Sequence, residues 1–557
     1  MFIWSPSISS GPFATIQHAI DKAVSGDVIY VKSGVYFAVE GSTTIVDIDK
    51  PNLKIIGYTN TVGDLDNGEG IPDSYEDFTA GNMQAMPSIV GPHRHAGGDP
   101  MNPWLPIVRI RADNVEFRNF LLTNREDGIE ASSCSDPLLK NLLVMEIGDT
   151  NLLVDGRGIG LSNCVDGLVE NCFVYNGGAE AIAITHSLDC DVSNCQVYGD
   201  DNSNYWKSST HYYYLLSNSK WCTVTNCVAE RKRDPQSNEG PAHGGHGFVL
   251  KGATWKNGKI TNEEASWNRL INCSARSIDE PLLFRGNSIF NTIENLESKI
   301  KFNEMHRYGS NGAYIAYARG ILKFDGGPTA NIVSRFLSLG CRGAAITFSH
   351  GNQFSNPTAP FSANGNKINN SVFFGPIQRG LNFEWDGRPW SPLRAAVRNK
   401  LINCTLITTD PNSDFVVNNL ANGTDDEGDW STDENVNRLS NCIVQGFGNY
   451  DGGNSSAPYY EIGLRFNNCC LDNPATDFPS PTHLGVNNIF ADPLVLASPN
   501  TTTPPSQLSA LDFELHPFNS PCIDAGTAEP FAFDLDYDVR GYNEVYDIGA
   551  QEVINGN

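Results

Sequence analysis

One short phrase recurs eight times between residues 157 and 387: GIGLSN, AIAITHS, YLLSNS, GFVLKG, PLLFRG, ILKFDG, AITFSH and LNFEWDG. Apolar residues alternate with variable ones in each copy, and a Gly or Asn closes it. Five copies are followed by Asn-Cys, at Asn171-Cys172, Asn194-Cys195, Asn226-Cys227, Asn272-Cys273 and Asn403-Cys404. Alternation with period two marks a strand, and its return every ~20–35 residues marks a solenoid of short parallel strands. Such a repeat constrains the chain strongly, because equivalent positions stack about 4.8 Å apart from coil to coil. Two neighbouring copies end in a cation, Lys251 in GFVLKG and Arg285 in PLLFRG, so these side chains are expected side by side on one surface.

A chain of 557 residues exceeds the roughly 100–200 usual for a single core. A solenoid escapes that limit because each coil contacts only its neighbours. The net charge of −26 argues against a nucleic-acid partner, which needs a basic face, and it makes any local cluster of cations more telling. No run of about 18 apolar residues is present, so no membrane-spanning helix is expected. The start, MFIWSPSISSGPFATIQ, lacks a charged-then-apolar leader. The paired cations suit an extracellular polysaccharide, which nevertheless predicts a secreted or periplasmic protein, and a monomer.

Cys172, Cys195, Cys227, Cys273, Cys404 and Cys442 each follow Asn at the start of a strand. That register places them in one inward column, where Cys behaves as a small hydrophobe. Cys190 and Cys222 recur in DCDVSNC and WCTVTNC, and the CxxC spacing of a zinc site is missing. Buried thiols are expected, with disulfides through Cys469, Cys470 or Cys522 as the alternative.

Residues 13–24, FATIQHAIDKAV, place Ile16, Ala19, Ile20 and Ala23 at helical spacing, and SGDVIYVKSGVYF then reads as a turn and a strand. A short helix here would cover the open end of the solenoid. Residues 1–450 are expected to form the capped solenoid, with loops inserted at 59–104, 200–211, 229–245, 301–312 and 409–436. Residues 451–557 lose the repeat and read as a closing segment packed on the last coils.

ATIQHAIDKAVSGDVIYVKSGVY at the front, the SNC, TNC and INC coils, and SPCIDAG, DVRG and DIGAQE at the back together resemble the pectate-lyase-like superfamily. The resemblance covers nearly the whole chain. It implies an all-β, right-handed parallel β-helix with an N-terminal helical cap and an irregular C-terminal closure. That superfamily holds lyases, hydrolases, esterases and epimerases, so fold does not choose the chemistry.

Alignment on the closing turn gives an outward column of Ser162, Thr185, Ser217, Lys251, Arg285, Asp325, Ser349 and Asp386. One step upstream lie Ala183, Leu215, Val249, Leu283, Lys323, Thr347 and Glu384. The alternation turns Leu250, Phe284, Phe324 and Phe348 inward. His186, His211, Tyr213, His243, His246 and His350 crowd the edges of the charged group. Paired cations suit β-elimination of a uronic-acid polysaccharide. Arg is shaped for a bidentate hold on a carboxylate, and a Lys crowded by another cation gives up its proton more readily and can act as a base. Arg285 is expected to hold the acid, with Lys251 or His246 as base and Tyr213 as acid to the leaving oxygen. His186, His211, His243, Lys323, Asp325, His350, Glu384 and Asp386 would line the anionic polysaccharide.

GFVLKG and PLLFRG also resemble polysaccharide lyase family 6, the alginate lyase and chondroitinase B group. There a Lys ending one coil's strand is the base, an Arg on the next coil assists, and calcium neutralises the carboxylate. Lys251 and Arg285 match those two positions. The preceding stretch, AHGGHGF, departs from the family by carrying His243 and His246 where acidic calcium ligands stand. A hydrolase is the main alternative, because Asp325, Glu384 and Asp386 share the surface and hydrolysis wants two carboxylates across the bond. A non-catalytic carbohydrate-binding solenoid is the other, with Tyr212, Tyr213, Tyr214, Trp206, Trp385 and Trp390 as stacking platforms. Separately, GDLDNGEGIPDSYED at 63–77 resembles a calcium loop of the DxDxDGxxDxxE kind, with Asp64, Asp66, Asp73 and Glu76 as ligands of a structural Ca2+; the alternative is a solvated acidic loop.

Overall fold

The computed structural model describes residues 3–4, 13–37, 45–91, 106–125, 127–148, 156–200, 210–232, 245–252, 255–256, 259–260, 263–278, 280–299, 321–340, 343–350, 363–385, 398–418, 436–448, 464–472, 485–496, 507–528, 534–535 and 546–551. The protein is a parallel β-helix. A coil needs sharp corners, and a corner needs a residue in the left-handed backbone region, which Asn enters more readily than other side chains. Asn171, Asn194, Asn226, Asn272, Asn403 and Asn441 supply it with φ between 51° and 54°. The Cys after each is buried. Asn-Cys is therefore a corner followed by the first inward residue. No disulfide joins the described cysteines, Cys469, Cys470 and Cys522 included, and all are buried thiols.

The described residues divide into two compact units, one up to Val249 and one from Leu250 onward. The first begins with the helical cap, Ile16–Lys22, whose Thr15 hydroxyl accepts from the His18 N–H at 3.1 Å. Ile16, Ala19 and Ile20 are its buried face. The Lys50 ammonium donates to the carbonyls of Ile20, Asp21 and Ala23 at 2.7–2.9 Å, satisfying the helix end. On one face of the coils, Pro106–Ile110, Asp127–Ser132, Arg157–Ser162, Glu180–Thr185 and Tyr212–Ser217 stack in parallel. Around the corner, Glu116–Arg125 pairs with Leu138–Ile147, and later coils split this face into shorter strands. Leu65, Ile71 and Met86 from the inserted loop pack against Leu143, Phe173 and Tyr198 on that second face.

In the second unit, Glu280–Arg285, Leu322–Asp325, Gly343–His350, Ile377–Trp385 and Asp414–Asn418 form the first face. Phe284, Phe324, Phe348 and Phe383 stack inside it with ring centroids 5.0–5.4 Å apart. The second face runs from Arg269–Arg276 through Thr292–Lys299 and Ile332–Leu339 and on to Leu464–Asn467, Cys470–Leu471 and Ile489–Phe490. The strand ladder thus continues past residue 450, beyond the visible repeat. Phe513, Leu515, Cys522 and Ile548 of the closing segment pack on Leu339, Val372, Phe374 and Ile443. No helix among the described residues is long and apolar enough to cross a membrane.

Candidate functional site

The Gly252 N–H donates to the Arg285 carbonyl at 2.9 Å and the Gly286 N–H to the Asp325 carbonyl at 2.8 Å. These bonds set Lys251, Arg285 and Asp325 in one column of the second unit, with Leu283 beside Lys323 in the next. Phe284 and Phe324 are fully buried on the opposite side of the same strands, which turns the charged residues outward. Arg285 and Asp325 are 13% and 21% exposed, with Nε 3.6 Å from Oδ2. The Asp325 carboxylate therefore faces the Nε edge of the guanidinium.

Further along, Asp325 pairs with Ser349 and Ser349 with Glu384, while Lys323 pairs with Thr347 and Thr347 with Asn382. This corrects the alignment on the closing turn, which put Asp386 in the first column and Glu384 in the second. The register between these strands shifts at the Gly343/Ala344 step, and Ile377–Trp385 then pairs residue by residue through Trp385. Asp325, Ser349 and Glu384 each follow an inward Phe, but the closing Gly comes two, three and four residues after that Phe, so the closing turn is no fixed reference. His243, Asp386, Trp206 and Trp390 lie outside the described residues. For His350, Glu384 and Trp385 the description covers the backbone alone.

Tyr213 and His246 belong to the first unit, and neither lies at an open edge as the sequence suggests. Tyr213 is fully buried. Its hydroxyl lies against Gly199, where an added Cβ would stand 2.5 Å away, so the missing side chain of Gly199 makes the slot for the phenol. His246 is 5% exposed, with its ring stacked on Tyr212 at 5.2 Å and meeting His211 edge-on at 4.8 Å. The Tyr214 hydroxyl shares its one proton between the Cys195 and Val228 carbonyls, at 2.8 and 3.0 Å inside the coil. Tyr213 and Tyr214 pack the interior, and Tyr212 is covered against His246 and His211, so none of the three is an open stacking platform. His186 is an exposed corner residue with φ 52°, its ring 3.2 Å from the Asn218 amide.

The first unit carries a charged face that the eight copies do not reveal. Asp47 accepts from Arg109 at 2.8 Å and Arg111 at 2.7 Å. Burial works against the Asp47 carboxylate, yet the two guanidinium groups hold it below the usual carboxylate range. Arg157 lies over Gly160 and donates to Glu180 at 2.7 Å and Ser162 at 3.1 Å, with Glu130 3.7 Å away. Burial opposes its charge too, but Glu180 keeps it firmly protonated. Extending the column upstream through Glu130, Arg109 and Asp47 would have found this group.

The acidic loop is folded on itself. The Asp64 carboxylate accepts from the backbone N–H of Thr59, Asn60 and Thr61 at 2.7–2.9 Å. Asp66 instead meets Arg118 at 3.2 Å and the Asn119 amide at 3.1 Å, and Glu76 lies in the short helix Tyr75–Ala80. Among the described residues no three His, Cys, Asp or Glu converge as metal ligands do. The donor set of Asp64, Asp66, Asp73 and Glu76 does not fit a calcium shell, because its first two members are turned to amides and to an arginine.

No family model matches the chain, and no curated protein does. Among solved structures, similar chain paths occur in the catalytic domain of a GH87 α-1,3-glucanase bound to nigerose (11% identity, TM-score 0.44, covering 79% of this chain and 63% of that one). Others are a rhamnogalacturonan lyase (12%, 0.39, 76% and 87%) and the A-module of Azotobacter vinelandii mannuronan C-5 epimerase AlgE6 (11%, 0.43, 77% and 94%). The chain spans under two thirds of the glucanase domain.

Proposed function

We propose that the protein is a carbohydrate-active enzyme that cleaves a uronate-containing polysaccharide by β-elimination at the Lys251–Arg285–Asp325 column. The observation that supports this most is the register that puts Lys251 beside Arg285, with Asp325 next in line to hold the guanidinium. Arg285 takes the sugar carboxylate, so negative charge can build on the carbon next to it. Lys251 removes the C5 proton. The bond from C4 to the glycosidic oxygen then breaks, its electron pair leaving with that oxygen, which gains a proton and balances the one taken by the base. The product is an unsaturated uronate at the new non-reducing end. Lys323 stands one step upstream on the same face and meets the next anionic sugar. A polymer of this kind is met outside the cytoplasm, where the protein would act.

Digestion of alginate, pectate, glycosaminoglycans and sulfated algal uronans, followed by ultraviolet absorbance and product mass, tests the reaction. Unsaturated ends that vanish in Lys251→Ala are the expected result.

One observation favours a second reading. Glu384 stands two strands from Asp325 in the same column, about 9.6 Å along the backbone, just beyond the roughly 6.5–9.5 Å that separates the carboxyl groups of inverting glycosidases. Saturated reducing ends, with Asp325→Asn and Glu384→Gln more damaging than Lys251→Ala, would establish hydrolysis instead.

A further inference from the structure

Five residues past Arg285 its coil turns a corner at Phe290, and the coil before it turns the matching corner at Trp267. The two side chains are 44% and 51% exposed, and both backbones are left-handed, with φ of 56° and 60°. Bulky side chains seldom accept that region, and where they persist in it the strain often serves a site. Each corner N–H donates to the carbonyl just before the next corner, Trp267 to Ile289 at 3.3 Å, Phe290 to Thr329 at 3.2 Å and Ala330 to Asn364 at 2.9 Å. Trp267, Phe290, Ala330 and Gly365 therefore form one column.

The rings stack on each other at 4.7 Å with 18° between planes, close to the ~4.8 Å step from coil to coil. Their planes thus lie across the solenoid axis. One face of Phe290 is taken by Trp267, and the other looks along the column toward Ala330. There the side chains stop: Ala330 offers one methyl, and a Cβ built on Gly365 would meet no atom within 4 Å. Phe290 is consequently one wall of an open slot whose floor is Ala330 and Gly365. Thr329 and Asn364, half-buried and bridged to each other one residue upstream, set a hydroxyl and an amide along its side. Next to the floor runs a buried amide ladder, Asn291 donating to Asn331 and Asn331 to Asn366 at 2.9 Å each, which holds the corners rigidly. A pyranose suits such a slot, because it carries C–H bonds on its faces and hydroxyls on its rim. A lipid tail or an apolar helix would cover the amide and hydroxyl without replacing their water.

We infer that this slot is a sugar-binding subsite apart from Lys251 and Arg285, in which one pyranose lies on the outer face of Phe290 above Ala330 and Gly365. Phe290 follows Arg285 by the same five residues as Ala330 follows Asp325, at most about 18 Å of backbone, a span that a short oligosaccharide bridges. One glycan chain thus occupies both places, an acidic sugar at Arg285 and a distal sugar in the slot. That shared occupancy, and with it the class of glycan, rests on the proposed function; the slot itself does not.

Calorimetry of the full chain carrying Lys251→Ala, which stops the proposed cleavage, with oligosaccharides of polygalacturonate, alginate and dextran tests the slot. Phe290→Ala removes the wall, and Ala330→Phe fills the slot with the chain's own ring. Each should weaken glycan binding at least about fivefold, the worth of one ring contact, with melting temperatures unchanged. Binding within about twofold of the parent in both folded variants overturns the inference. So does tighter binding in Ala330→Phe, a parent that binds none of the three glycans, or a parent dimer that Phe290→Ala disperses while glycan affinity holds. If the unsubstituted chain forms no unsaturated ends but Phe290→Ala still weakens glycan binding, the elimination is wrong and the slot stands.

Discussion

The two units fill the same place in the coil with different chemistry. Five residues before an inward Cys, the first unit has Cys190 and Cys222, and the second has Asn268, Asn399 and Asn437. The thiol does little beyond filling space. Cys190 accepts from the Gly167 N–H at 3.3 Å, and its weak S–H faces the Leu188 and Cys164 carbonyls at 3.4 and 3.7 Å. The amide does far more. Asn331 accepts from the backbone and side chain of Asn291 at 3.0 and 2.9 Å, and donates to Asn366 and to the Ser288 carbonyl at 2.9 Å each. A sulfur column is tolerant, while an amide ladder is directional and satisfied only in one register. The outer faces differ in a parallel way. In the first unit the charges are paired, Asp47 with Arg109 and Glu180 with Arg157. In the second, Lys251 and Arg285 stand side by side, and it is there that an anionic ligand is proposed.

The largest effect should separate the two faces by activity. Arg285→Ala and Lys251→Ala should each lose at least about a hundredfold in turnover, the usual contribution of a general acid–base or charge-stabilising group. Arg157→Ala should leave turnover within about twofold and lower the melting temperature instead. Equal losses in kcat would erase the distinction between a binding face and a structural one.

The corner ladders come next. Asn331→Leu orphans polar groups at Asn291, Asn366 and Ser288 and should cost about 2–3 kcal/mol by denaturant titration. Cys190→Ala should cost about 1 kcal/mol, since a small apolar contact and only weak sulfur hydrogen bonds are lost. A larger loss for the cysteine would mean that the sulfur column carries the register. Native thiol labelling should be slow throughout, because burial pushes Cys195, Cys227, Cys404 and Cys442 well above the usual thiol range.

A smaller effect concerns pH. Asp47 is held below the usual carboxylate range, so its contribution is fully present above that range and is lost as pH falls through its lowered folded value. Asp47→Asn should remove up to about 1 kcal/mol and flatten the acid limb of the stability curve. The smallest effect is expected from chelation. EDTA should leave the melting temperature unchanged, whereas Asp64→Ala should lower it by undoing three backbone hydrogen bonds. A fall on chelation would return calcium to the acidic loop.

Local chemistry made much of this readable in advance. Alternation of period two, with Asn-Cys at each corner, was enough for parallel coils and buried thiols, because side-chain facing and left-handed corners are properties of a few consecutive residues. The helical cap was legible for the same reason in Ile16, Ala19 and Ile20. The neighbouring placement of Lys251 and Arg285 followed because their copies have the same length.

Tertiary structure decided whatever depends on register between strands or on packing from another coil. Glu384 entered Asp325's column because it directly follows the inward Phe383, as Asp325 follows Phe324, while the number of residues before the closing Gly differs between these coils. Tyr213 went inside because Gly199, on a different strand, leaves room for its ring. Trp267 and Phe290 stack although the segments that lead to them from Lys251 and Arg285 differ in length. The alternation along one strand is fixed by its own backbone, but which residues meet across strands is set by the bulges and loops between them, and those leave no period in the sequence.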